Sequence, residues 1–160
     1  MNIAIVVYSQ TGHTREVVES LAEKLHNENR AVSVHPLETA ASDKDHPEVQ
    51  LTSWPDVADA DILILAAPVH AFSLAPAMDK YLQSLGDLKE IKALLIMTQH
   101  FPYPWMGGLR AMGQFKNVCS HKGAEIIADG IINWSNKKRP EQIRALIEKF
   151  SQVLEPLHNA

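Results

Sequence analysis

The alternation of two apolar patterns constrains this chain more than any other feature. Short, nearly continuous apolar runs rich in β-branched residues recur along it. Between them lie stretches whose apolar residues return at helical spacing. Residues 3–8, 61–67, 91–98 and 125–132 read as strands, and Val32 and Val34 mark one more. Val17, Val18, Leu21, Ala22 and Leu25 form one face of a helix, opposite Arg15, Glu16, Glu19, Glu23 and Lys24. Met78, Tyr81, Leu82 and Leu85 give a second helix near 75–85, and a third covers 109–122 with Gly123 as its stop. Pro140 suits a first helical turn, and Ile143, Leu146, Ile147, Phe150 and Leu154 form the last stripe. A strand without polar alternation is buried on both faces, as in a parallel sheet covered by helices. The sequence thus predicts an α/β three-layer sandwich with a five-stranded parallel sheet.

Residues 38–61 break the alternation. They hold seven acids against one base, Lys44, together with Pro47 and Pro55. Weak periodicity predicts a solvated acidic surface connection with room for one short helix.

Composition narrows the class. A chain of 160 residues suits a single domain over 1–160, and 46% hydrophobic with 21% charged residues is globular rather than disordered. The formal charge is −4, the wrong sign for a general nucleic-acid binder. Cys119 is the only cysteine, so no internal disulfide and no multi-cysteine metal centre forms. The eight histidines show no His-x-x-x-His pair and no His-Glu-x-x-His, and Cys119 reads as a small buried hydrophobe. No apolar run reaches about 18 residues, and the N-terminus reads as a strand rather than a signal peptide. The expectations are therefore no membrane insertion, no nucleic acid, no metal and a cytoplasmic location.

In an open sheet of this kind ligands bind beyond the carboxyl ends of the strands, so three loops are candidates. Ser9-Gln10-Thr11-Gly12-His13-Thr14 follows the first strand and opens a helix. Free N–H groups at a helix start, three hydroxyls and a glycine suit a phosphate. The loop contains neither Gly-Lys-Ser/Thr nor Gly-x-Gly-x-x-Gly, which disfavours triphosphate and dinucleotide loops. No Glu or Gln stands three residues after Ser9, Thr11 or Thr14, so a capping box does not account for the cluster.

That motif after a first strand resembles the flavodoxin signature Thr/Ser-x-Thr-Gly-x-Thr. The resemblance covers nearly the whole chain and implies a flavodoxin-like sheet of order 2-1-3-4-5. It implies FMN as cofactor, with Ser9, Gln10, Thr11, Gly12, His13 and Thr14 at its phosphate; His13 stands at the variable position. Pro68, Val69, His70, Ala71 and Phe72 in the second loop, 68–74, then flank the flavin ring, and Pro68-Val69-His70 is similar to a stretch of flavodoxin-like reductases. Thr98 at the end of the fourth strand, with Gln99, His100, Phe101, Trp105, Gly107 and Gly108 of the third loop, 99–108, completes the site. Phe101, Tyr103 and Trp105, with Phe115 nearby, are four of the ten aromatic residues, and Trp105 is the first candidate to stack on the ring. The aromatic loop has a second reading, as a contact with a partner subunit in a homodimer.

None of the three loops carries Asp or Glu. This departs from the acidic flavin surroundings of flavodoxins and predicts an easier full reduction of FMN. His70 or His100 near the flavin could donate a hydrogen bond or a proton. Two functions follow from the resemblance. One is an electron carrier using non-covalent FMN with a redox partner protein; the other is an NAD(P)H:quinone-type oxidoreductase with a small-molecule acceptor. A flavin-free interaction module on the same fold is the reading from another class. A phosphate-receiving regulator is excluded, because the first strand ends in Tyr8-Ser9 and the third in Ala66-Ala67 where acids are required.

Overall fold

The structure, a computed structural model, describes residues 1–40 and 49–158. The elements follow the order β1 (Asn2–Val7), α1 (His13–Asn27), β2 (Ala31–Pro36), β3 (Ile62–His70), β4 (Ser73–Leu74), α2 (Pro76–Ser84), β5 (Lys92–Gln99), α3 (Gly108–His121), β6 (Glu125–Asn133) and α4 (Arg139–His158). The parallel strands lie in the order β2-β1-β3-β5-β6. Counted along the long strands, this is the expected 2-1-3-4-5.

The two faces of the sheet divide the core. Ala4 and Val6 of β1, with Tyr8 just after it, lie on one side, where Met78, Tyr81 and Leu82 of α2 and Phe115 and Cys119 of α3 cover them. Ile3, Ile5 and Val7 point to the other, under Val17, Val18, Leu21 and Leu25 of α1 and Phe150 and Leu154 of α4. The two-residue period of the strand thus sends alternate side chains into separate layers. Full burial of each large apolar side chain contributes about 1.5–3 kcal/mol. Phe115, expected beside the aromatic loop, is instead fully buried in the first layer.

Two segments differ from the sequence reading. The connection 38–61 contributes to the core as well as the surface. Val49, Leu51, Val57 and Ala60 are buried, while Glu38, Asp56, Asp59 and Asp61 remain exposed. A bridge between Thr39 and Leu51 closes it, and Tyr81 donates its hydroxyl proton to the Pro55 carbonyl at 2.6 Å. Its described residues form no helix; 41–48, with Asp43, Lys44, Asp45, Pro47 and Glu48, lie outside them. Scattered apolar residues anchored one at a time leave no period to read.

The second correction concerns 68–74, expected as a loop. Pro68, Val69 and His70 end β3, and the chain returns at once as β4, pairing Val69 with Leu74 and His70 with Ser73. Ala71 and Phe72 form the two-residue turn with φ of 48° and 64°. Positive φ at both central positions is the turn that matches strand twist, normally built from Asn-Gly. Ala-Phe gives no such signal.

Candidate functional site

The carboxyl ends of β1, β3, β5 and β6 bring the sequence-selected residues to one edge. At the first, Gly12 caps α1 with φ 89°, and a Cβ built there meets nothing within 4 Å. Ser9 Oγ accepts hydrogen bonds from Gly12 N–H at 3.1 Å and Arg15 N–H at 3.4 Å. The first helical bond runs from Glu16 N–H to the Gly12 carbonyl at 3.0 Å. Among the described residues, the N–H groups of Thr11, His13 and Thr14 find no acceptor. They form an open donor set at the positive end of a fifteen-residue helix.

The three hydroxyls have different surroundings. Ser9 holds the turn, and Thr11 is exposed. Thr14 is buried, its hydroxyl 2.7 Å from that of Thr98 at the end of β5. Thr98 thereby ties the first loop to the third. A cavity of about 320 Å³ opens beside this loop, lined by Tyr8, Ser9, Gln10, Gly12 and Arg15 with Pro36, Leu37, Glu38 and Thr39.

A second cavity, about 300 Å³, lies between the hairpin and the loop after β5. Val69, Ala71, Phe72, Gln99, His100, Phe101 and Met106 line it. The Phe72 and Phe101 rings are parallel to within 5°, with centroids 6.3 Å apart. That is the wide end of the range for a stacked pair, about 4.5–7 Å. Gly107 lets the hairpin close on this loop: its φ is 109°, and a Cβ there would lie 2.7 Å from Phe72 Cδ1. Gly108 similarly leaves room for the Gln99 side chain, whose atoms would stand 3.1 Å from a Cβ. Leu74 N–H donates to Gln114 Oε1 at 3.0 Å, fixing the hairpin to α3.

Gln99 is buried at the base of this cavity. Its Nε2 donates to the Tyr103 carbonyl and to Asn133 Oδ1, both at 2.6 Å. Its Oε1 has no partner among the described residues. A buried acceptor left unmade costs about 1–3 kcal/mol, so a donor arriving from a ligand would be favoured there.

Trp105 does not join the ring pair across the gap. It stacks on Tyr103, with centroids 5.9 Å apart, and is 71% exposed. Sequence reasoning missed Trp134, which follows β6 and stacks on His13 at 3.9 Å with the Arg139 guanidinium 4.4 Å over its ring. Its signal was its place at the end of a parallel strand. His13 is held below its ordinary pKa, first by burial, then by Arg139, with His100 adding to the effect and Glu16 opposing it. The Cys119 thiol is pushed up to about 12 by burial, which leaves it unreactive. No group of three or more His, Cys, Asp or Glu among the described residues is placed to hold a metal. No helix among them is long and apolar enough to cross a membrane.

The strand order, with its loops gathered at the carboxyl edge, is the flavodoxin-like fold. A Trp repressor binding protein from Bacillus subtilis superposes with a TM-score of 0.70 at 15% identity, over 96% of this chain and 99% of that one. A flavodoxin from Streptococcus pneumoniae TIGR4 gives 0.66 at 19% identity over 95% and 99%. A flavoprotein in complex with FMN from Lactobacillus acidophilus NCFM gives 0.59 at 16% over 88% and 97%. No family model and no curated protein matches the sequence.

Proposed function

We propose that the chain is a redox protein that binds FMN without a covalent bond and transfers electrons through it, in the cytoplasm. The observation that carries this reading is the open N–H set of Thr11, His13 and Thr14 around left-handed Gly12. It stands on the same sheet edge as the parallel Phe72 and Phe101 rings. The residues fit the group. Backbone donors at a helix start suit a phosphate dianion, and Gly12 leaves the space a Cβ would fill. Orphaned Gln99 Oε1 suits an N–H on the edge of a flat ring, and a phenyl ring from the Phe72 and Phe101 pair suits one of its faces.

When bound, FMN supplies one- and two-electron chemistry. The chain's own residues bind and orient. Ser9 fixes the phosphate turn through two backbone N–H groups. The pair of Thr14 and Thr98 sets that turn against the loop holding Gln99 and Phe101. Phe72, held by the hairpin turn, shields one side from water.

An NAD(P)H-dependent reductase of quinone-like acceptors is the second reading. This reading also uses FMN, and its support is the uncharged, aromatic-rich loop after β5, which suits an apolar acceptor beside the flavin. The cofactor is tested by the visible spectrum of purified and FMN-reconstituted protein. A flavin spectrum with release of FMN on denaturation supports the proposal; no association at millimolar FMN overturns it. Aerobic NAD(P)H oxidation with a quinone and no added reductase then separates reductase from carrier.

A further inference from the structure

The flavin reading leaves the outer part of the loop after β5 without a role. Trp105, Leu109 and Tyr103 are 71%, 59% and 50% exposed. They project from the edge instead of lining the cavity beside it. Small-ligand sites are concave and enclose most of their ligand. A projecting indole and phenol fit a protein–protein contact, where Trp, Tyr and Arg carry most of the binding energy.

The loop holds these rings out. Met106 N–H donates to the Tyr103 carbonyl at 3.1 Å and Leu109 N–H to the Pro104 carbonyl at 2.9 Å. Asn136 Nδ2 donates to the Pro102 carbonyl at 2.9 Å and Ser135 N–H to the His100 carbonyl at 3.1 Å. The segment leading into α4 is therefore continuous with the aromatic loop. Such pre-ordering lowers the entropy lost on docking.

Charge sorts the same way. Segments 8–15, 68–78, 99–111 and 133–140 contain no Asp or Glu, yet they carry Arg15, Arg110, Lys137, Lys138 and Arg139 in a chain of net charge −4. Glu16, Asp79 and Glu141 stand just beyond them, in the first turns of α1, α2 and α4. Arg110 lies in the first turn of α3, and Lys137 and Lys138 lead into α4, where the helix dipole disfavours cations. Helix stability does not account for these placements. Arg15 is paired with Glu19, whereas Arg110, Lys137 and Lys138 have no ion-pair partner among the described residues.

We infer that the projecting aromatic loop, with Arg110, Lys137 and Lys138 around it, is the docking face for a protein whose contacting surface is acidic around an apolar centre. This deepens the redox reading, since the partner would be the electron donor or acceptor at that edge. The ¹⁵N-labelled chain, with whatever flavin it retains, is titrated with plant-type ferredoxin as an acidic probe and cytochrome c as a basic one. The titrations use about 0.01 M salt, where screening extends to about 30 Å. Ferredoxin should shift the amides of Tyr103, Trp105, Leu109, Arg110, Lys137 and Lys138, and the shifts should fade at about 0.15 M salt. Cytochrome c should move residues near Asp56, Asp59 and Asp61 instead. Lys137→Glu with Lys138→Glu should weaken ferredoxin association about tenfold while leaving the FMN content unchanged.

Three outcomes overturn the inference: no ferredoxin shifts at this face, cytochrome c shifting it, or the same amides moving with the chain's own concentration. The map needs no flavin, and FMN is read separately by absorption. A chain that takes up no FMN at millimolar ligand yet still docks ferredoxin would defeat the FMN reading and spare this one.

Discussion

The loop after β1 and the hairpin after β3 share an edge of the sheet and reach left-handed backbone by different means. Gly12 takes φ 89° with no side chain and no neighbour within 4 Å of the missing Cβ. Ala71 and Phe72 take φ 48° and 64° with side chains attached, at about 1–2 kcal/mol each. In the first loop the conformation leaves room for a ligand. In the second it places a phenyl ring, and Gly107 supplies the room from across the gap. Strain at non-glycine residues beside a cavity points to function, because an Asn-Gly turn would hold the hairpin more easily.

Alanine at each of the two glycines separates these cases. Gly107→Ala combines a disfavoured φ of 109° with a Cβ 2.7 Å from Phe72, so it should cost about 2–4 kcal/mol in chemical denaturation. Gly12→Ala meets no protein atom and should cost only about 1–2 kcal/mol, yet weaken FMN binding at least about tenfold because its methyl group occupies the ligand's space. Equal stability losses at the two positions would show that contact with Phe72 does not distinguish them.

The hydroxyl link between Thr14 and Thr98 joins the two regions, and breaking it should come next in size. Thr98→Val leaves the buried Thr14 hydroxyl unpaired, at a cost of about 1–3 kcal/mol. Adding Thr14→Val should restore much of that loss. A double variant no better than the sum of the single ones would mean that the hydrogen bond carries none of it.

The hairpin offers a change in the opposite direction. Ala71→Asn with Phe72→Gly relieves both positive-φ residues and should raise stability by about 1 kcal/mol. The same change removes one of the two parallel rings and should weaken FMN binding. A gain in both properties would remove Phe72 from the site.

This contrast also decides what the sequence disclosed. Ile3, Ile5 and Val7 announce a doubly buried strand, and Val17 to Leu25 announce their covering helix, because burial imposes a period. The first loop is legible because Gly12 and its neighbouring hydroxyls are residue types that the local backbone demands. The hairpin is not legible, since Ala71 and Phe72 occupy a conformation their chemistry disfavours and only contact with Gly107 and Gln114 explains it. Trp105 attracts notice as the largest ring in its loop, but size does not reveal direction; Phe101 faces the gap and Trp105 faces away. Trp134 and His13 stack across 121 positions of sequence, and no local pattern links them.

The smallest effect tests how the first loop responds to charge. His13 is held below its ordinary pKa by burial and then by Arg139 and His100, against Glu16. In the unfolded chain it takes up a proton near pH 6.5, while the folded protein lags. The unfolded state therefore binds more protons as pH falls through 6.5, and flavin-free protein should lose stability over that interval. His13→Asn should make that fall shallower in melting curves recorded from about pH 7.5 to 5.5. A bound phosphate dianion beside the loop favours protonated His13 and should flatten the wild-type slope in the same way. Riboflavin, which lacks the phosphate, should leave the slope as it is. If FMN and riboflavin change it equally, the phosphate does not rest at the start of α1, and the contrast between the two regions fails at its first member.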